Sequence, residues 1–286
     1  MLCEIEASGS FFSTWAALTL MGLLSQLAFS GSAFYYYYVT PTFEKWQWKS
    51  NPAFPPPEKV RDEITMMLKG LCSATLCPAA SLYLARHGLS QGYCGLGDHG
   101  GGYLLASFLA TWLVSDFYEF LYHHLGHRYA ALWANHRHHH AFFNPTPFSV
   151  IADEYIDQLA RSAPLVVLPC LFPVNQDMLF AQYVLFFYGY GTYLHLGYEW
   201  ESLPADHPWL NTSFQHYLHH AVSTRRQPYH TGFFFNVWDR LFGTMHPDGV
   251  HRSAMRARAR GERTRERWEH TEKPDYRVLL RPAFWW

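Results

Sequence analysis

The chain has 286 residues, of which 18% are aromatic and only 16% are charged, and its formal net charge is −1. Soluble domains carry about 25% charged residues, so this composition disfavours an ordinary soluble domain and favours a membrane protein. The 22 basic residues do not exceed the 23 acidic ones, and we expect no nucleic-acid partner.

Uncharged runs recur along the chain. Residues 7–43 contain no Asp, Glu, Lys or Arg, and a membrane-spanning helix needs about 20 apolar residues, so we place a first span at residues 11–39. Uncharged runs at residues 70–85 and 99–115 predict two more spans, and residues 162–198, interrupted only by Asp177, predict a hairpin of two. The second and third runs are short for a span, so buried core helices are the alternative. The recurrence favours an all-α protein with about four to five spans.

Basic residues set the orientation of these spans. Five follow the first span: Lys45, Lys49, Lys59, Arg61 and Lys69. Cytoplasmic loops are enriched in Lys and Arg, so this segment is expected in the cytosol and the N-terminus in the lumen. Counting onward puts the loop at residues 86–102 in the lumen and every later histidine-rich stretch on the cytosolic face, where these stretches can meet in a helical cap.

The two ends of the chain carry further expectations. The acidic start MLCEIEASGS lacks the positive region of a secretory signal, so we expect the first span to be retained. The five cysteines contain no Cys-x-x-Cys pair, which disfavours a disulfide or a thiolate metal site. Residues 249–286 are dense in Arg and Glu, which is typical of a solvated helix. A basic surface on anionic lipid headgroups is the alternative.

Three histidine groups stand out among the 18 histidines. They are HHLGH with His123 and His127, HRHHH with His136, His139 and His140, and HYLHH with His216, His219 and His220. On a helix, positions i, i+3 and i+4 share one face, so each group can direct its imidazoles at one point. An isolated histidine is usually a core or surface residue, but this repeated spacing predicts metal binding.

Two acidic residues precede the first group on the same helical face. Asp116 and Glu119 lie seven and four residues before His123. A carboxylate there could accept a hydrogen bond from a ligating imidazole and fix its tautomer. The alternative is an acidic residue near interfacial water at a helix end.

The number of histidines predicts the kind of centre. One zinc ion takes four ligands, whereas these groups supply eight, enough for two ions. Imidazole suits iron, zinc and copper alike, so spacing does not select the metal. A lipid substrate in the membrane offers unactivated C–H bonds, whose oxidation requires a redox-active metal and O2, and zinc has no redox chemistry.

These motifs, together with Asp116-Phe117, HRHHH followed by NPTPF, and YHTGFFFNVWDRLFGT, resemble the sterol desaturase and fatty acid hydroxylase superfamily over residues 107–245. The resemblance implies a membrane-bound non-haem di-iron oxygenase of the endoplasmic reticulum, which receives electrons from NAD(P)H through a reductase and cytochrome b5. It also implies three regions: membrane spans at 1–100, the catalytic domain at 101–248 and a charged cytosolic tail at 249–286. Zinc could replace iron in preparations.

The resemblance also assigns the metal ligands. It implies ligation by His123, His127, His136, His139, His140, His195, His216, His219 and His220. His124, His138 and His230 do not match ligand positions. His124 and Phe120 depart from the residues that the superfamily usually has there, which bears on the subfamily and the substrate rather than on metal binding.

The stretch from NPTPF to Asp157-Gln158 is similar to members that introduce the 5,6 double bond of delta-7 sterols. A 4-methylsterol oxidase and a fatty acyl hydroxylase are the enzymatic alternatives, and a non-enzymatic membrane metal-binding protein is a distant one. The aromatic run at residues 183–198 could line a lipid cavity; ordinary transmembrane packing is the other interpretation.

Overall fold

A computed structural model describes residues 2–7 and 9–286, and these are mostly helical. The α-helices are α1 (Leu2–Ala7), α2 (Phe11–Gln26), α3 (Ser32–Phe34), α4 (Phe43–Trp46), α5 (Pro57–Ala74), α6 (Leu76–Arg86), α7 (Gly100–Arg128), α8 (Ala130–His136), α9 (Tyr155–Arg161), α10 (Pro164–Leu171), α11 (Gln176–Gln182), α12 (Gly189–Leu194), α13 (Ser213–Val222), α14 (Val237–Phe242), α15 (Ala254–Ala259) and α16 (Arg265–His270).

Shorter elements connect these helices. The π-helical segments are Leu27–Gly31, Tyr35–Val39 and Tyr183–Tyr188, and the 3-10 helices are His139–Ala141, Pro147–Ile151, Gly249–Arg252, Tyr276–Leu280 and Pro282–Phe284. The strands β1 (Gly92–Tyr93) and β2 (Val174–Asn175) pair in parallel, with Gly92 opposite Val174.

Three helices in the described part of the chain are long and apolar enough to cross a membrane: Phe11–Val39, Pro57–Arg86 and Gly100–Arg128. The first agrees with the predicted span. The other two extend beyond the predicted runs because Glu63, Asp116 and Glu119 are buried and bonded within the protein. A search for uncharged sequence therefore began the second helix too late and ended the third too early.

The predicted fourth and fifth spans are not among these three helices. This part of the chain forms α10, followed by α11 and α12, and α10 packs against α6 and α7. α10 has eight residues and would extend about 12 Å, too short for a bilayer. The second arm includes Gln176, Asp177 and Gln182. The number of spans in a membrane and the cytosolic position of the cap stay predictions.

A disulfide between Cys3 and Cys94 joins α1 to the loop before α7. The expectation of no disulfide was wrong, because it was based on spacing in the sequence, whereas these cysteines are 91 residues apart and meet only in the fold. The bond lies near the start of α7. Since a helix rises about 1.5 Å per residue, the histidines at the other end of α7 are roughly 35 Å away.

Close packing against α5 fixes the segment that follows NPTPF. A Cβ atom at Gly70 would overlap the carbonyl oxygen of Ile151, so only glycine permits this approach. Glu63 accepts hydrogen bonds from the backbone amide and the hydroxyl of Thr146. These contacts hold the Pro147–Ile151 helix and the start of α9 against the second long helix.

The charged C-terminal segment is packed against the rest of the protein. Arg263 donates to the carbonyl of Lys49 over 2.8 Å, and the Tyr276 hydroxyl donates to the carbonyl of Pro55 over 2.6 Å. Lys49 is fully buried, with its ammonium 3.4 Å from the side-chain oxygen of Asn144. The sequence predicted a single solvated helix here. The segment instead forms short helices, and Arg263 and Tyr276 anchor it to the rest of the protein.

Candidate metal centre

Four segments bring histidines together near the end of α7. They are the last turns of α7, the junction of α8 with the His139–Ala141 helix, the end of α12, and α13. α13 begins with a capping box, in which Thr212 accepts from the Gln215 amide and Gln215 accepts from the Thr212 amide. This cap fixes where the helix starts, so the three histidines at i, i+3 and i+4 turn the same face toward the centre.

The histidines form two groups. In each group the nearest ring nitrogens all lie within 4.8 Å of one another. The five-histidine group is His123, His127, His136, His140 and His219, and the four-histidine group is His139, His195, His216 and His220. Every histidine in the predicted ligand set is included, and each group draws on more than one sequence motif.

The Nε2 atoms converge inside each group. His140 Nε2 lies 3.2 Å from His136 Nε2 and 3.1 Å from His219 Nε2. In the other group, His195 Nε2 lies 3.0 Å from His216 Nε2 and 3.4 Å from His139 Nε2. Neutral imidazoles cannot all donate to one another, so converging lone pairs are best satisfied by a cation.

The opposite ring nitrogens of six of these histidines have acceptor partners. Nδ1 donates from His123 to Thr231 O at 3.0 Å, from His127 to Thr224 O at 3.3 Å, from His195 to Gly191 O at 2.8 Å, from His219 to Tyr229 O at 2.6 Å, from His136 to Asp157 at 3.0 Å and from His139 to Ala152 O at 3.4 Å. A proton fixed on Nδ1 leaves the Nε2 lone pair free for a metal.

Burial keeps these imidazoles in the form that binds metal. His136 is 1% exposed, and burial lowers its pKa. Burial also lowers the pKa well below the ordinary range for His139, His140, His216, His219 and His220. Metal binding requires neutral imidazole, so at neutral pH these side chains need no proton removed. Among the described residues, the Nε2 atoms of His123 and His127 are buried and have no hydrogen-bond partner. Such unpaired nitrogens are also expected of metal ligands.

Two carboxylates contact the two groups, one just before α9 and one in its first turn. Asp157 pairs with His136 of the five-histidine group and Asp153 with His139 of the four-histidine group. Burial alone would raise the pKa of Asp157, but the bond from His136 and the charge of Arg161 hold the pKa of this carboxyl below its usual value. Sequence reasoning did not assign this role, and helical spacing does not predict it, because Asp153 precedes α9.

Arg161 sits behind these carboxylates at the end of α9. Its guanidinium pairs with Glu119 and lies 3.9 Å from Asp153, and only 9% of its side chain is exposed. The predicted supporting residue Glu119 is thus linked to the histidines through Arg161 and Asp153. Asp116 instead accepts from the Phe234 amide at 2.7 Å and the Trp238 indole at 2.8 Å.

The WDRLFGT motif holds the loop that orients His123. Asp239 accepts from the amides of Thr231 and Gly232 at 2.8 and 2.9 Å, and from the Thr244 hydroxyl. The carbonyl of Thr231 in turn accepts the hydrogen bond from Nδ1 of His123. Asp239 therefore helps to position the His123 ring through the backbone of Thr231.

The remaining histidines of these motifs lie outside the two groups. His124 stacks against Phe120, and His230 accepts from the His246 amide at 3.3 Å. His138 lies within HRHHH but belongs to neither group.

Comparison with known proteins adds a family and several relatives. The fatty acid hydroxylase family matches residues 108–244. Lathosterol oxidase of Mus musculus is 28% identical over 193 residues, which cover 66% of this chain and 62% of the mouse protein. The human enzyme of the same name is 26% identical over 188 residues, 65% of this chain and 61% of that protein. A Delta(7)-sterol 5(6)-desaturase of Gibberella zeae is 27% identical over 245 residues, 84% and 63% of the two chains.

The alignments with the lathosterol oxidases span about three fifths of the length of those proteins. No solved structure matches the chain.

Proposed function

Since this chain matches the fatty acid hydroxylase family over residues 108–244, we propose that it is a membrane-bound non-haem di-iron oxidoreductase of sterol biosynthesis. It would use O2 to oxidise C–H bonds of a delta-7 sterol and introduce the 5,6 double bond, the reaction for which the Gibberella zeae relative is named. The observation that carries this proposal is the pair of buried histidine groups, one of five and one of four residues.

The residues of the chain divide the work at this centre. The converging Nε2 atoms would hold one ion in each group, and the acceptors at Nδ1 keep each ring in the required tautomer. Burial excludes water from the site. When bound, two iron ions would supply redox chemistry with O2, which zinc cannot supply although it fits the same imidazoles.

Yeast lacking its own sterol 5(6)-desaturase provides the test. Expression of this chain should restore 5,6-unsaturated sterols, measured by mass spectrometry, and His219→Ala should abolish them. His138→Ala is the matched control, because it lies outside both histidine groups and should retain activity. Unchanged delta-7 sterols with metal-loaded protein present would contradict the proposal. A loss of 4-methylsterols or a change in acyl chains would instead identify one of the other hydroxylase reactions.

We also propose that the histidines face the cytosol and that the protein resides in the endoplasmic reticulum. The Cys3–Cys94 disulfide lies near the start of α7, whereas the histidines lie at its other end. Disulfides persist in oxidising compartments such as the lumen, so this bond and the positive-inside prediction favour the same orientation.

Thiol labelling in sealed microsomes tests this orientation. A membrane-impermeant maleimide applied without detergent should leave Cys3 and Cys94 unmodified, even after reduction with a membrane-permeant reductant. Detergent together with the reductant should expose both. Labelling of either cysteine in sealed, reduced vesicles would reverse the orientation.

The proposed electron route runs from NAD(P)H through a reductase and cytochrome b5, as the resemblance implies. Purified protein in lipid vesicles should turn over only when reduced cytochrome b5 is supplied. Equal turnover with the reductase alone would contradict this route.

A further inference from the structure

A cavity lies beside the carboxylates that support the metal centre. Its enclosed volume is about 30 Å3, room for about one water-sized group such as a hydroxyl, and it opens to the outside. Its walls are largely apolar and include Val150, Ile151, Phe187 and Phe233. The aromatic run at residues 183–198 contributes Tyr183 and Phe187 to this wall.

Two polar groups at this cavity lack a partner. Gln158 is 4% exposed, and its side-chain oxygen Oε1 has no hydrogen-bond partner within the described residues. The Nη1 nitrogen of Arg161 is likewise buried and unpaired, although Nη2 pairs with Glu119. Buried polar groups are normally hydrogen-bonded, so two orphans lining one cavity indicate a ligand that satisfies both.

The chemistry of the two orphans specifies the ligand. Gln158 Oε1 can only accept a hydrogen bond, and the N–H of Arg161 Nη1 can only donate one. A hydroxyl group does both: its hydrogen donates to Gln158 and its oxygen accepts from Arg161. A carboxylate would place its oxygens against the Gln158 oxygen, and a hydrocarbon end would satisfy neither group.

We propose that Gln158 and Arg161 bind the hydroxyl of an apolar alcohol and, building on the proposed function, that this hydroxyl is the 3-hydroxyl of the sterol. The site lies close to the metal centre because Arg161 contacts Asp153, which holds His139. In a sterol, C5 is two bonds from the carbon that bears this hydroxyl. A hydroxyl site next to the histidines would therefore bring the carbons to be desaturated near the metal and set the position of oxidation.

Binding of a matched pair of sterols to the purified full-length protein tests the proposal. The probes are cholest-7-en-3β-ol and its 3-methyl ether, which keeps the oxygen but has no hydrogen to donate to Gln158. Wild-type protein should bind the alcohol at least about tenfold more tightly, because the ether leaves a buried acceptor unpaired. Gln158→Met, which keeps the length of the side chain, should weaken alcohol binding about tenfold and leave ether binding unchanged.

Two control variants separate recognition from folding. Gln182 is equally buried, but its side chain is fully paired, with Thr111 and the carbonyl of Phe108. Gln182→Met makes the same chemical change away from the cavity and should keep the wild-type ratio of alcohol to ether affinity. Ser162→Ala removes a neighbour that accepts from Gln158 Nε2 but spares Oε1, and it should also keep the ratio.

The outcomes distinguish this inference from the proposed reaction. Equal wild-type affinity for the two probes, no binding of either, or a preference that survives Gln158→Met would overturn the hydroxyl site. If only Gln158→Met loses the preference for the alcohol over the ether, and yeast makes no 5,6-unsaturated product, the hydroxyl site is supported and the proposed desaturation is refuted. Formation of 5,6-unsaturated sterol by a protein that binds the alcohol and the ether equally would support the desaturation and refute the hydroxyl site.

Discussion

Asp157 accepts a hydrogen bond from Nδ1 of His136 over 3.0 Å, and only 1% of either side chain is exposed. Just before α9, Asp153 lies 3.2 Å from Nδ1 of His139, and this nitrogen donates its hydrogen bond to the carbonyl of Ala152. Since His136 belongs to the five-histidine group and His139 to the four-histidine group, the segment at residues 152–157 contacts both groups. This one short segment thereby links the position of one group to that of the other.

Asp157→Asn should weaken metal binding in the five-histidine group about 10- to 100-fold, because an amide orients the imidazole less firmly than a carboxylate does. The four-histidine group should keep its ion, so metal content after dialysis should fall from about two ions per chain to about one. Elemental analysis measures this. Asp206→Asn, an exposed change, is the control, and an equal loss in both variants would contradict the prediction.

Arg161→Met should destabilise the protein by about 3–5 kcal/mol, because it leaves the buried carboxylates of Glu119 and Asp153 without their cation. Arg256→Met removes an exposed arginine that pairs with Asp206, and should cost at most about 1 kcal/mol. Thermal denaturation in detergent compares the two variants. Similar melting temperatures would show that Arg161 does not neutralise the buried carboxylates.

Glu199→Gln should change how stability depends on pH. Burial raises the pKa of Glu199 to about 7 from an ordinary value of 4.5, although the amides of Ala254 and Met255 donate to its carboxylate. Between these values the folded protein holds a proton that the unfolded chain has lost. Stability should therefore fall as pH rises through this window, by at most about 1.4 kcal/mol per pH unit, and level off above pH 7.

Unfolding of wild-type and Glu199→Gln protein between pH 4.5 and 8 measures this effect. The variant does not titrate at this position, so its stability relative to wild type should increase with pH up to about 7. Glu201→Gln changes an exposed residue nearby and is the control, so the difference in stability between this variant and wild type should not show the same rise with pH. A constant difference between wild type and Glu199→Gln across the window would rule out the raised pKa.

Gly70→Ala should displace the segment before α9, because the added methyl group would overlap the carbonyl of Ile151. We expect a loss of about 1–3 kcal/mol and weaker metal retention, since Asp153 follows this segment. Gly31→Ala is the matched helical control, with no atom within 4 Å of the added Cβ. It should be neutral or stabilising by up to about 1 kcal/mol. Full metal content in a folded Gly70→Ala protein would contradict the link between α5 and the centre.

The sequence predicted the histidines better than their surroundings. The repeated spacing identified eight of the nine residues that assemble into the two groups, because helical periodicity is a local property, and the family resemblance added His195. The same local reasoning suggested Asp116 and Glu119, but Asp116 bonds to the Phe234 amide and the Trp238 indole. Which carboxylate reaches an imidazole depends on how α9 packs against α7, and no spacing within one helix reveals that.

Long-range contacts account for the other differences. The first span was predicted because an apolar run of that length is visible in the sequence. The Cys3–Cys94 disulfide and the packing of Arg263 against Lys49 join residues far apart in the chain. The family match confirms the resemblance that the histidine motifs indicated.

The backbone acceptors at Thr231, Thr224 and Tyr229 have an evolutionary consequence. They orient His123, His127 and His219 through carbonyl oxygens, which every amino acid possesses. Side chains between residues 224 and 231 can therefore drift without moving these imidazoles. A single inserted or deleted residue there would change the spacing along the chain between these carbonyls, so this loop should tolerate changes of identity much more readily than changes of length.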